Sequence, residues 1–242
     1  MIAFIVIAIA AGLQSSIGFS FNILAVPILA LLDPDLTPIP TMVMGIPLTA
    51  MVFLRERNRV DFKSLRWIIA GRVPGAFLGA ALLASVSRRF LVGFITVIVL
   101  AAVIVIVIVI VIVIGTGYTI NQTRTTKFAL GLASGVTGAS SAIGGPPLAL
   151  LYHRNPGPVI RSSLAFLFFI GQFVSLAALG LNGELSLRPI ELAFVLMPAM
   201  LIGYWASRHL TDRIEGPPLR AGVLVVSTFA GVALLLRALG AN

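Results

Sequence analysis

A single continuous helix is disfavoured over residues Gly131 to Leu151, GLASGVTGASSAIGGPPLALL, because this apolar stretch carries five glycines, four Ser or Thr hydroxyls and a Pro-Pro pair. Glycine weakens a helix through backbone entropy; proline removes a donor and clashes with the preceding turn. The surroundings make such a break consequential. The 242-residue chain is 59% hydrophobic and 10% charged, with a mean hydropathy of +1.09, which places it in a lipid bilayer rather than among soluble domains. Irregular backbone survives at membrane depth only where protein or a water-filled cavity satisfies its N–H and C=O groups. The segment is therefore read as half of a substrate site, against the plainer alternative that its small residues only let helices pack closely.

A similar segment lies near the N-terminus. Aligning Gly12 with Gly131 places Leu13 on Leu132, Ser15 on Ser134, Pro27 on Pro146 and Leu29 to Leu31 on Leu148 to Leu150; further on, Pro74 and Gly79 match Pro198 and Gly203. This predicts an all-α polytopic membrane protein, a single transmembrane domain over residues 1–242. It has two repeats of about four hydrophobic segments, 1–115 and 127–242, joined by a linker at 116–126. Interrupted hydrophobic segments at matching positions of two halves point to a transporter site near the bilayer midplane.

The segments follow in order. The first, 1–32, is interrupted between Gln14 and Asn22 and closes at Asp33-Pro34-Asp35. Thr41 to Leu54 and Trp67 to Val86 come next, the latter carrying Arg72 and Pro74 near its start. Leu91 to Ile114 contains a Val-Ile alternation that reads as a lipid-facing helix, since both residues are apolar and the length spans a bilayer. After the Gly-rich segment come Ser163 to Leu181 with Gln172, Pro189 to Leu210, and Ala221 to Leu239. If all eight segments crossed, Lys and Arg would divide almost evenly between the two faces. If the interrupted stretches are re-entrant hairpins, twelve basic residues fall together (Arg55, Arg57, Arg59, Lys63, Arg66, Arg124, Lys127, Arg154, Arg161, Arg208, Arg213, Arg220) against Arg88, Arg89, Arg188 and Arg237 on the other face. The positive-inside rule favours the hairpins, hence inverted repeats with both termini outside.

Several functions are disfavoured. The charge of +9 is scattered between apolar runs with no aromatic-basic surface, so it reads as cytoplasmic loops and not as nucleic-acid binding. Residues 1–13 lack the basic start and cleavage site of a signal peptide. There is no cysteine, and His153 and His209 sit at segment ends beside arginine, so no metal site or cofactor is expected. No acidic residue falls clearly within a span, which argues against a carboxylate proton relay. An intramembrane enzyme would need a nucleophile with its base, or clustered metal ligands, and the spans carry neither.

The chain resembles the TauE/SafE family of sulfite exporters and related anion permeases (TSUP). The likeness rests on GLQSSIGFSFNILAVPIL in one half, GLASGVTGASSAIGGPPLALLY in the other, and the spacing Pro74-x4-Gly79 and Pro198-x4-Gly203. It covers essentially the whole chain; the first motif departs from the family pattern at Phe19, Ser20 and Phe21, where a glycine run is common. The resemblance implies movement of small sulfur-containing or carboxylate anions, such as sulfite, sulfoacetate or other organosulfonates, often by export.

An oxyanion in a membrane needs hydrogen-bond donors and a positive potential. Helix N-termini at a break supply both, with roughly half a positive charge each. Gln14, Ser15, Ser16, Asn22, Ser134, Thr137, Ser140 and Ser141 are candidate side-chain contacts, and Gly138, Gly144 and Gly145 would let backbone approach the ligand. Pro27, Pro146 and Pro147 are the expected helix breakers. Arg72 is read either as a group that attracts the anion or as one snorkelling to the interface. Gln172 either faces the cavity or bonds a neighbouring helix. The expected function is a secondary transporter of small anions working by alternating access in the cell inner membrane. Its partners would be the anion, the bilayer and a coupling ion, proton or sodium. A passive anion channel built on the same donors stays open, as does a purely structural subunit.

Overall fold

The computed structural model describes residues 1–85, 97, 121–152 and 155–207. The Val-Ile run of 91–114, the first part of the linker, His153, His209 and the last span, 221–239, lie outside them. The described chain is helical: α1 (Ile2–Ile17), α2 (Phe21–Leu32), α3 (Ile39–Glu56), α4 (Phe62–Ser85), α5 (Arg124–Ser141), α6 (Gly145–Tyr152), α7 (Gly157–Leu181) and α8 (Leu187–Ser207). Short 3-10 turns at Pro34–Leu36 and Arg57–Arg59 flank α3. Four segments, Pro34–Arg59, Phe62–Ser85, Gly157–Leu181 and Leu187–Ser207, are long and apolar enough to cross a membrane, with mean hydropathy of 1.6, 1.6, 2.2 and 1.6. At ~1.5 Å per residue each reaches about 30 Å or more, the thickness of the hydrocarbon layer. Large apolar side chains such as Leu78 and Leu82 of α4, and Phe194, Val195 and Ile202 of α8, are exposed, as lipid-facing groups must be.

The two expected interruptions occur over short stretches. α1 ends at Gly18, whose φ of 100° is left-handed and whose N–H donates to the Gln14 carbonyl at 2.8 Å. α5 ends at Ala142, also left-handed with φ 63°, its N–H donating to the Gly138 carbonyl at 2.9 Å. Each conformation closes the last turn in the manner of a C-cap. The Gln14 side chain completes the first break, donating from Nε2 to the Gly18 carbonyl (2.9 Å) and accepting from the Phe21 N–H (3.0 Å), so one amide satisfies backbone on both sides.

The prolines behave differently from expectation. Pro27 lies inside α2, which continues to Leu32. Pro146 and Pro147 occupy the first turn of α6, where no N–H is needed and proline's fixed φ favours the helix. They start a helix rather than stop one. Four helix starts shift: α3 begins at Ile39 rather than Thr41, α7 at Gly157 rather than Ser163, α8 at Leu187 rather than Pro189, and α4 at Phe62 rather than Trp67, which moves Arg72 from near the start of its segment to well inside.

Chain ends meet in pairs. Gln122 Nε2 donates to the Leu151 carbonyl at 2.9 Å, bringing the end of α6 beside the start of α5. Asp35 meets Arg188 at 3.7 Å, bringing the end of α2 beside the start of α8. Among the described helices the most extensive pairing is α4 on α5, where a Cβ on Gly71, Gly75 or Gly79 would overlap the carbonyls of Phe128, Leu132 and Val136. Gly131 and Gly135 face the Ile68 and Arg72 carbonyls in the same way. For these glycines close packing is the role. α1 packs likewise on α8, Gly203 lying on the Ala8 carbonyl, and α3 on α7.

Candidate functional site

The two breaks meet around a cavity of about 30 Å³. Gln14 and Asn22 reach it from the first hairpin, Gly138, Gly144 and Gly145 from the second, Arg72 from α4, and Gln172 and Ser175 from α7. Asn22 Nδ2 donates to the Ala142 carbonyl at 2.8 Å, tying the start of α2 to the break after α5. Residues far apart in sequence are thereby fixed around one small space.

Arg72 supplies its charge. It is 4% exposed, and its position deep in α4 places it in the cavity rather than at the interface. Nη1 donates to Ser134 Oγ, and Cζ lies 5.5 Å from the Phe168 ring centroid. Ser134 donates its own proton to the Gly144 carbonyl at 2.6 Å, so its lone pairs are turned to the guanidinium. Arg72 Nε has no partner, and among the described residues no carboxylate pairs with the group. A buried cation without a counter-charge is costly, and a cation–π contact of about 2 kcal/mol does not replace one.

Two glycines make room for the polar side chains. A Cβ on Gly171 would overlap Arg72 Nε, and one on Gly45 would overlap the Gln172 amide. Gln172 Oε1 also lies 3.4 Å from Thr49 Oγ1, whose proton goes to the Gly45 carbonyl at 2.7 Å. Gln172 therefore both faces the cavity and touches α3.

Of the residues picked from sequence, the cavity lining includes Gln14, Asn22, Arg72, Gly138, Gly144, Gly145 and Gln172, with Ser134 behind Arg72. Five hydroxyls point elsewhere. Ser15, Ser16, Thr137, Ser140 and Ser141 donate to the carbonyls of Ala11, Gly12, Ala133, Val136 and Thr137, four residues back in their own helices. Of the proline positions, Pro146 and Pro147 follow directly on the lining glycines.

Sequence reading missed Ser175, which is buried, lines the cavity and leaves its Oγ without a partner. Its faint signal is its place three residues after Gln172 on one helix face. Also missed is an ionic clamp on the tip of α1. Arg55 donates to the Ser15 carbonyl at 2.6 Å and Arg161 to the Ser16 carbonyl at 3.4 Å, while Glu56 accepts from Arg161 Nε at 2.9 Å and lies 3.4 Å from Arg55. Cations at a helix C-terminus meet its negative end. A second, wider cavity of about 290 Å³ opens beside Asp33, Asp35 and Glu184. Among the described residues no group of three or more His, Cys, Asp or Glu is placed to hold a metal.

A family model described as Sulfite exporter TauE/SafE matches residues 3–234 of the chain. Comparison with curated proteins and with solved structures returned no match.

Proposed function

Because the chain belongs to the sulfite exporter TauE/SafE family, we propose that this multi-pass membrane protein is a secondary transporter of small anions, sulfite or a related sulfur-containing or carboxylate anion, in the inner membrane. One observation carries the reading: a buried arginine, without a carboxylate partner among the described residues, lines a cavity between two helix breaks. An anion in that cavity supplies the missing counter-charge, with the Arg72 guanidinium as its donor. The small volume suits a compact ion.

We read the fold as two inverted repeats, each opening with a re-entrant hairpin. Exchanging α1–α4 for α5–α8 maps the main helix pairs onto one another, α1 on α8 becoming α5 on α4 and α3 on α7 mapping to itself. Gly79 and Gly203, equivalent in the Pro-x4-Gly motifs, both seat against a hairpin helix of the other half. The ends near Glu56, Asp61, Lys127 and Arg161 converge through Arg161–Glu56, Lys127–Ser64 (2.7 Å) and Asp61–Ser163 (3.2 Å). Arg188 and Asp35 lie at the opposite end. The first hairpin returns to the Arg188 end and the second to the basic end, in keeping with the charge bias of the loops.

In this reading the two hairpin tips are the moving parts, and Arg72, held by Ser134 and packed on Gly171, is the fixed point they alternately cover. The Arg55–Glu56–Arg161 clamp holds one tip shut. Purified protein in liposomes, tested for counterflow of labelled sulfite, sulfoacetate, taurine and a carboxylate, decides the matter. Saturable exchange of one anion establishes the carrier; linear flux without exchange makes it a channel, and no flux of any of the four overturns the assignment.

A further inference from the structure

The cavity also contains a buried acceptor, and it has no use for a fully ionised ligand. Asn22 spends its Nδ2 on the Ala142 carbonyl at 2.8 Å, which fixes the amide's orientation. Its Oδ1 is buried with no partner. Two further residues that line the same cavity, Arg72 and Ser175, are 4% and 2% exposed and each carries a buried atom without a partner among the described residues, Nε and Oγ. Nε is a donor only, Oγ is a donor or acceptor, and Oδ1 is an acceptor only. Ligand oxygens satisfy the first two. Oδ1 requires a donor, which an oxyanion can supply only as an O–H.

Arg72 is the only formally charged group among the cavity-lining residues contributed by α1 to α7. Together with the partial positive charge at the N-termini of α2 and α6 it favours an anion; the choice between one negative charge and two rests on Oδ1, which an ionised oxygen would repel.

Resting on the anion-transporter reading, we propose that the site takes an oxyanion as its singly protonated monoanion, with its O–H donated to Asn22 Oδ1 and an ionised oxygen on Arg72. For sulfite the bound species is then hydrogen sulfite, and the dianion is excluded. The proton travels with the ligand, so no acidic side chain is needed in the cavity to move it.

The test is equilibrium binding to the purified full-length protein across the pH range in which sulfite loses its second proton, with methanesulfonate and sulfate as further probes. Affinity for total sulfite should fall by about tenfold for each pH unit above that ionisation, by simple proton linkage. Methanesulfonate, a monoanion without an O–H, should bind more weakly than hydrogen sulfite and show no pH dependence; sulfate should not compete. Asn22→Leu should bring hydrogen sulfite down to the level of methanesulfonate. If that variant does not fold, the wild-type titration decides alone. Sulfite affinity that is flat or rises with pH, or effective competition by sulfate, overturns the protonation inference and leaves the anion site standing. Failure of the folded protein to bind sulfite or methanesulfonate at any pH overturns the anion site itself, and the inference with it.

Discussion

Arg72 Nε occupies the space that a Cβ on Gly171 would fill, so the absence of one methyl group on α7 is what admits the guanidinium of α4 to the cavity. The overlap involves the root of a constrained, buried head group, and Ser134 and Phe168 leave it little room to retreat. We predict that Gly171→Ala abolishes transport while the protein still inserts. Gly180→Ala on the same helix meets only the Leu185 side chain at 3.0 Å and should transport normally. Equal activity of the two variants in liposomes would show that Arg72 need not sit where it does.

Ser134 orients the arginine because its proton is committed to the Gly144 carbonyl at 2.6 Å. Ser134→Ala removes an acceptor from a buried cation, a loss on the order of 1.5–3 kcal/mol, or about tenfold or more. We expect that loss in apparent anion affinity, read as the concentration for half-maximal counterflow. An unchanged value would mean that Arg72 does not bear the anion.

The breaks were legible in sequence as regions, less so as positions. Gly/Ser/Pro content announces that a helix fails, but which residue turns depends on backbone closure. The alignment that pairs Pro27 with Pro146 would pair Gly18 with Thr137, five residues before the observed left-handed residue Ala142. Nothing about an alanine signals φ of 63°. The direction of the hydroxyls is hidden for a similar reason. Ser15, Ser16, Thr137, Ser140 and Ser141 bond their own helices, a choice of rotamer that residue type leaves undecided. Arg72 stood between cavity and interface on sequence alone because the start of α4 was placed too late. Gly45 and Gly171 escaped attention because a notch for a partner's side chain reads, in one dimension, as an ordinary small residue.

The glycines of the second motif divide by function, and substitution should divide them in the same way. Gly131 faces the Ile68 carbonyl across a helix contact, whereas Gly144 lies 2.8 Å from the Ser134 carbonyl and 3.0 Å from Arg72 Nη1, measured from where a Cβ would be. Gly131→Leu should lower the yield of folded protein. Gly144→Leu and Gly145→Leu should insert and fail to transport. Normal flux through the latter two would remove the second hairpin from the site.

Glu56 holds Arg161 at 2.9 Å and 3.2 Å through its two oxygens. Glu56→Gln weakens a partly buried ion pair, and we predict destabilisation by about 1–3 kcal/mol, read as a lower Tm in detergent. The exchange Glu56→Arg with Arg161→Glu should recover part of the loss. If the double variant is no better than Glu56→Gln, the pair is not what holds the tip of α1.

The most direct measurement is counterflow of labelled sulfite into liposomes by the wild type, Arg72→Lys and Arg72→Gln, each checked for insertion and monodispersity. The wild type should show saturable exchange, Arg72→Lys a weakened exchange because the charge persists without its planar fork, and Arg72→Gln none. Undiminished exchange by a properly folded Arg72→Gln would contradict the central claim, that the buried arginine between the two breaks is the counter-charge of the transported anion.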